Sequence, residues 1–304
     1  MSSNQTQHVL NLTPTERRKF SDSFDCVICD CDGVLWTVFE PIPGIEQALA
    51  TLRTHGKTIR YITNNSVRTF DHYAAQFRTL GVTLTPSDII HPALAIVQHL
   101  KSLDFQGLIY CLATQSFKNV LVNAGFELIE GPDQPLEESF KKIIATVHDR
   151  APVKAVVIDV DFNINYPKLL RAELYLKNDP DCLFIAGATD KVLHARKDFN
   201  LIGPGHFLEV LEQSTGRKAT VLGKPGDQLA GKVCDLFGIE DRRRVLFVGD
   251  MLQQDMAFAS RCGFQKLLVL SGGTSTDDML QERDVECIPN YYADSLADLV
   301  KMFE

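Results

Sequence analysis

The chain has 304 residues, 45% of them hydrophobic and 23% charged, and a formal net charge of −8. This composition builds a soluble globular protein with a substantial core. Its acidic balance argues against a nucleic-acid or anionic-membrane surface, and no apolar run approaches the length of a bilayer span. The opening Met1-Ser2-Ser3-Asn4-Gln5-Thr6-Gln7-His8 has neither the basic start nor the apolar core of a secretory signal. The eight scattered cysteines therefore read as reduced thiols of a cytoplasmic protein. Cys26, Cys29 and Cys31 form their only cluster. With no matching Cys/His pair elsewhere, they read as small buried hydrophobes and not as zinc ligands.

In chain order, the recurring unit is a short apolar strand, a turn and an amphipathic helix. Residues 27–29 read as a strand, followed by a helix over 45–55 that Gly56 ends. The strand 58–62 leads into a helical stripe of Phe70, Tyr73, Ala74, Phe77 and Leu80. Residues 107–112, 155–158 and 182–186 read as strands, with helices around 117–124, 136–148 and 167–177 between them. Residues 220–222, 245–248 and 267–270 are further strands, each followed by a helical pattern. Ser295 caps a last helix with Leu296, Leu299, Val300 and Phe303 on one face. Strands alternating with helices imply an α/β fold with a doubly wound parallel sheet. The apolar material is enough for two cores, which predicts one α/β domain, 20–103 and 216–304, interrupted by another at 104–215.

In such a sheet, ligands gather beyond the carboxyl ends of the strands. Four of these ends carry polar residues: Asp30-Cys31-Asp32-Gly33, Thr63-Asn64-Asn65-Ser66, Gly223-Lys224-Pro225, and Gly249-Asp250 with Asp255 following. Each alone reads equally well as a turn or a helix cap. Together they form a working set. Asp30, Asp32 and Asp250 are hard oxygen donors suited to Mg²⁺. Lys224 can hold Asp30 ionised and bind a phosphoryl oxygen. The Thr63 hydroxyl and nearby backbone N–H groups are phosphate donors. An ionised Asp beside a lysine can attack phosphorus, and a second Asp two residues on can protonate the leaving oxygen and then deprotonate water.

With these residues in this order, the chain resembles the haloacid-dehalogenase-like (HAD) phosphatase superfamily, and within it the branch of p-nitrophenylphosphatase, phosphoglycolate phosphatase and pyridoxal phosphate phosphatase. The resemblance runs from about residue 24 to 299, and implies a Rossmann-like core with the 104–215 insertion as an α/β cap that sets specificity. It makes Asp30 the nucleophile and Asp32 the general acid/base. Mg²⁺ would be held by the Asp30 side chain, the Asp32 carbonyl and Asp250, with Asp255 orienting metal-bound water. Thr63, Asn64, Asn65 and Lys224 would hold the phosphoryl group. Related enzymes often pair through the cap, which points to a homodimer. After Asp250 the branch often shows Arg-Leu-Asp-Thr-Asp, whereas this chain has Met251-Leu252-Gln253-Gln254-Asp255, keeping the spacing and the outer acid. Where relatives resemble Ala-Thr-Asn-x-Asp, it has Ala188-Thr189-Asp190-Lys191-Val192. Specificity therefore does not transfer through the predicted cap loop at 187–200, where His194 and Arg196 read either as anion contacts or as solvated loop residues.

The expected function is a Mg²⁺-dependent phosphomonoesterase for small phosphorylated metabolites, working through an aspartyl-phosphate. The competing reading is a catalytically weak homologue that binds a phosphorylated ligand or protein partner. Three features read as decoys. Asp159-Val160-Asp161 repeats the acid spacing without a following glycine and reads as a loop pair. Gly272-Gly273-Thr274-Ser275-Thr276 reads as a turn and helix cap at the rim of the site. Cys31 reads as structural, with oxidation at Cys31 perturbing Asp30 as a side hypothesis.

Overall fold

The computed structural model describes residues 6–37, 40–196 and 199–304, with 194–196 as backbone only. The chain divides into two compact units, Met1–Thr63 with Phe70–Ile90 and Lys224–Glu304, and Asn64–Thr69 with His91–Gly223.

The first unit is built on a sheet ordered Gln7–His8, Tyr291–Ala293, Gln265–Val269, Val245–Gly249, Cys26–Cys29, Thr58–Ile62, Ile89–Ile90. Every neighbouring pair is parallel. Parallel strands buried on both faces need apolar residues at successive positions, as in Val27-Ile28-Cys29 and Val245-Leu246-Phe247-Val248, all fully buried. Val27, Cys29, Leu246 and Val248 face a core that includes Trp36, Leu49, Tyr73 and Phe77. Phe247 packs edge-on to Phe258, on the short helix Ala257–Cys262. From Cys26–Cys29 the chain winds outward through Thr58–Ile62, and from Val245–Gly249 it winds the opposite way through Gln265–Val269. The crevice between these two central strands is therefore the topological switch point, where doubly wound sheets bind ligands.

The second unit has its own parallel sheet, ordered Thr220–Val221, Leu183–Ala186, Val153–Ile158, Leu108–Leu112, Glu127–Ile129. Its core gathers Tyr110, Val156, Ile158, Phe184, Tyr175, Leu176, Leu208 and Leu211. The segment 187–200, expected as a loop, carries most of an antiparallel pair, Val192–Arg196 with Phe199–Ile202. The backbone pairs there because Val192, Leu193 and Leu201, Ile202 supply strand-forming residues on both arms. The strand expected at 220–222 is Thr220–Val221, and it joins this second sheet. The last helix is a 3₁₀ helix, Leu296–Met302, with the Ser295 hydroxyl accepting from Ala297 N–H. Among the described residues no helix is long and apolar enough to cross a membrane.

Phe77 packs against Trp36 and Tyr61, with ring centroids 5.0 and 4.4 Å away, in the core that also holds the Trp36 indole of the first acidic turn. Truncation there empties a ring-sized volume in the core of the first unit. Phe77→Ala is expected to destabilise the protein by about 3–5 kcal/mol, read as a lower urea midpoint with unchanged slope.

Candidate active site

The strand Cys26–Cys29 ends by delivering Asp30, whose N–H donates to the Val248 carbonyl at 2.8 Å. The chain then turns at once. The Cys31 carbonyl accepts from Leu35 N–H at 2.8 Å, and Gly33 N–H donates to the Trp36 carbonyl at 2.7 Å. Gly33 takes a φ of +85°, and a Cβ there would run into the Asp250 carboxylate. This turn separates the two acids. Asp30 is buried, whereas Asp32 is half-exposed, with its Oδ1 accepting from the indole Nε1–H of Trp36 at 3.0 Å. Trp36 is itself fully buried, so Asp32 is held from behind by a rigid donor.

The adjacent strand Val245–Gly249 ends by delivering Asp250. A wide helical turn, Leu252–Met256, closed by Met256 N–H on the Met251 carbonyl, brings Asp255 back beneath it. Asp255 Oδ2 accepts the N–H groups of Asp250 and Met251, each at 3.0 Å. Its Oδ1 lies 2.6 Å from Lys224 Nζ, which also reaches Asp30 Oδ1 at 2.8 Å. Gly273 N–H donates to Asp250 Oδ2 at 2.6 Å. Cβ atoms at Gly249 and Gly272 would collide with the carboxylates of Asp255 and Asp250. The structure thus brings Asp30, Lys224, Asp250 and Asp255 into one cluster. The 272–273 turn is more than rim: it backs Asp250 directly, while Ser275 beyond it caps the helix Thr276–Gln281.

Charge in this cluster does not balance. One oxygen from each of Asp30, Asp250 and Asp255 lies within 4.8 Å of the others. Three carboxylates against one ammonium leave a formal charge of −2. Burial pushes Asp30 well above the usual carboxylate range, Lys224 opposes that shift, and Asp255 and Asp250 add to it. Asp250 is pushed up to about 7 by burial and then by Asp255. Burial disfavours the Lys224 ammonium, yet Asp255 and Asp30 outweigh it and hold its pKa above the ordinary lysine value. Asp250 Oδ1 is buried without a hydrogen-bond partner, a state that native structures rarely tolerate. A hard dication fits on each count: it would cancel the excess charge and give that oxygen a partner.

Thr63 follows the strand Thr58–Ile62, is buried, and donates its N–H to the Ile90 carbonyl at 3.0 Å. It stands at the same edge of the sheet as Asp30. Asn64 and Asn65 belong to the second unit. There Asn64 Nδ2 donates to Asp190 Oδ2 at 2.8 Å, and Asn65 Oδ1 accepts from Val67 N–H. The side chains of His194 and Arg196 lie outside the described residues. Asp159 and Asp161 part company. Asp161 pairs with Lys168 at 3.0 Å, and Asp159 turns inward to Ser66. Cys31 is fully buried, and burial, followed by Asp30 and Asp32, pushes its thiol well up. Both burial and the raised thiol weigh against the thiolate form through which oxidation of Cys31 would proceed. Sequence reasoning missed Trp36 and the direct hold of Gly273 on Asp250, both of which act through space across turns.

Residues 27–127 match the haloacid dehalogenase-like hydrolase family and residues 221–299 a HAD-hydrolase-like family. Phosphoglycolate phosphatase 2 of Arabidopsis thaliana is 34% identical over 297 residues, covering 96% of this chain and 98% of its own. The chain belongs to the haloacid dehalogenase-like hydrolases, and its named relatives are phosphoric monoester hydrolases. Among solved structures, a 4-nitrophenylphosphatase of Thermotoga maritima is similar with a TM-score of 0.78 at 24% identity, over 93% of this chain and 99% of that one. A glycerol phosphate phosphatase of Mycobacterium tuberculosis, in complex with magnesium, gives 0.72 at 24% identity, over 97% and 78%. The fold they share is a Rossmann-like α/β core with an inserted cap.

The charge imbalance has a measurable consequence. In metal-free buffer, Asp250→Asn removes a buried repulsion and is expected to melt at or above the wild-type temperature. Millimolar Mg²⁺ should raise the melting temperature of the wild type and leave that of the variant unchanged. A variant that melts lower without metal, or that still responds to Mg²⁺, would contradict this account of the cluster.

Proposed function

We propose that this protein is a Mg²⁺-dependent phosphomonoester hydrolase for small phosphorylated metabolites, acting through an aspartyl-phosphate on Asp30. One observation carries the reading: Asp30 is buried in the switch-point crevice, held 2.8 Å from the Lys224 ammonium, beside an Asp250 oxygen that lacks a partner. A buried carboxylate attacks only when ionised; Lys224 opposes the burial that pushes Asp30 upward, and a dication beside it would add to that support. Asp30, Asp250 and the Asp32 backbone carbonyl would hold the metal, with Asp255 behind them. Bound there, Mg²⁺ supplies a Lewis acid that neutralises charge on the phosphoryl oxygens.

An Asp30 oxygen attacks phosphorus in line as the bond from phosphorus to the ester oxygen breaks. Asp32, on the exposed side of the turn, gives its proton to the departing oxygen. Asp32 then takes a proton from water, the water oxygen attacks phosphorus, and the bond to Asp30 breaks. The Asp30 carboxylate is restored and phosphate leaves. Thr63, Asn64, Asn65 and Lys224 hold the phosphoryl oxygens. Lys224 also spans Asp30 and Asp255, so charge released at Asp30 is met without rearrangement. The name of the 34% identical plant relative supports a small phosphate ester as substrate, and phosphoglycolate belongs in the first panel to be screened.

The test is hydrolysis of p-nitrophenyl phosphate with Mg²⁺. Asp30→Asn preserves size and hydrogen bonding but removes the nucleophile, so turnover should fall to background while far-UV circular dichroism stays native. Turnover retained by that variant would rule out the mechanism. Phosphate-ester binding without Mg²⁺-dependent release of phosphate by the wild type would favour a ligand-binding homologue instead.

A further inference from the structure

Residues 64–69 continue the chain directly from Thr63, yet they belong to the second unit, where two carboxylates hold them. Ser66 Oγ donates to Asp159 Oδ1 at 2.6 Å, and Asn64 Nδ2 donates to Asp190 Oδ2 at 2.8 Å. Asp159 stands at the carboxyl end of Val153–Ile158 and is 3% exposed. Its Oδ1 also accepts from Val160 N–H at 2.7 Å, and its Oδ2 accepts from Ala188 N–H at 2.8 Å. Its own N–H donates to the Leu112 carbonyl at 2.9 Å, which roots it on the neighbouring strand. One buried carboxylate therefore ties three pieces of chain together.

The packing around it leaves no slack. A Cβ at Gly187 would collide with the Asp159 carboxylate, and one at Gly223 would press on the Gly187 carbonyl and on Asn64 Oδ1. Cβ atoms at Gly203 and Gly205 would strike the carbonyls of Asp190 and Thr189. The turn 187–190 is thus enclosed by backbone on several sides, bonded to the 64–66 segment directly through Asp190 and Asn64 and indirectly through Asp159, which joins Ala188 to Ser66. Holding a carboxylate here is costly. Burial pushes Asp159 up to about 6 even though Ser66, Ala188 and Val160 all donate to it. A plain turn would be served as well by Ser or Asn. What a carboxylate adds is acceptor capacity for three converging donors at once.

We infer that Asp159 is a positioning residue for substrate binding, fixing Asn64 to Ser66 and Gly187 to Asp190 as one rigid element. Asp190 completes the arrangement: its carboxylate can accept only from the NH₂ end of the Asn64 amide, so it sets which way that amide faces. The inference rests on the reading of Asn64 as a phosphoryl contact. Asp159 itself touches no reacting atom.

The test compares Asp159→Asn, Ser66→Ala and the double variant with wild type, on p-nitrophenyl phosphate with Mg²⁺. Asp159→Asn keeps the side-chain volume but turns one acceptor into a donor facing other donors. Ser66→Ala removes a single bond and serves if the first variant fails to fold. Asn64 would grip the phosphoryl group in ground and transition states alike, so the loss should fall on KM, by roughly 10-fold, with kcat nearly unchanged. The double variant should be no worse than Asp159→Asn alone, because both remove the same tie. Additive losses, or an unchanged KM with only a lower melting temperature, would overturn the inference. Amide hydrogen exchange separates it from the catalytic reading. If the wild type proves inactive, exchange in Asp159→Asn that rises together at 64–66 and 187–190 still supports the tie. A rise at 187–190 alone overturns it.

Discussion

The ammonium of Lys224, fully buried and shared between Asp30 and Asp255, is the contact on which the first unit's chemistry depends. Without it, two carboxylates at the ends of adjacent buried strands would protonate or push apart, since burial alone drives both upward. With it, the upward push on Asp30 is opposed and Asp255 has a reason to fold back under Asp250. The arrangement does not fully satisfy itself, and that incompleteness is informative. A buried ion cluster built only for stability would be close to neutral and fully hydrogen-bonded. This one retains surplus negative charge and an orphaned oxygen, both of which a bound cation would relieve.

The doubly wound sheet explains why these residues meet. Cys26–Cys29 and Val245–Gly249 lie side by side although more than two-thirds of the chain separates them, and the chain departs from them in opposite directions. Side chains placed just past both ends must converge on the crevice between. Trp36 and Phe77 fill the space behind the first turn, so its two acids cannot relax into ordinary loop positions.

Much of this was legible in the sequence. An apolar run ending abruptly in Asp30 or Asp250 announces a strand end, and the four polar strand ends taken together, not any one alone, mark the carboxylates as functional. Strand positions were readable where runs were long, as at 58–62. They were not readable at Gln7–His8 or Ile89–Ile90, where two residues cannot display a period. Strand partners were hidden too: Thr220–Val221 looks like any other strand, and only packing assigns it to the second sheet. At the site, Asp255 was visible as an acid at the right spacing, but its bond to Lys224 depends on a wide turn that no local pattern encodes. Gly273 acts on Asp250, 23 residues away, and Trp36 reaches back to Asp32 only because the intervening turn folds on itself. Asp159 reads in the sequence as a loop acid, since no glycine follows it and it lies in the insertion. The glycine it needs is Gly187, on the next strand end of the sheet.

Gly33, Gly249 and Gly272 press against the carboxylates of Asp250 and Asp255 so closely that none has room for a methyl group. The genetic target of this site is therefore wider than its ionisable residues. A missense change at any of the three codons replaces hydrogen with at least one carbon and displaces an acid that the change itself leaves untouched. Damaging variants should collect at positions with no chemistry of their own, and the spacing of these carboxylates cannot drift gradually. Selection is left to adjust specificity elsewhere, in segments where side chains still have space to vary.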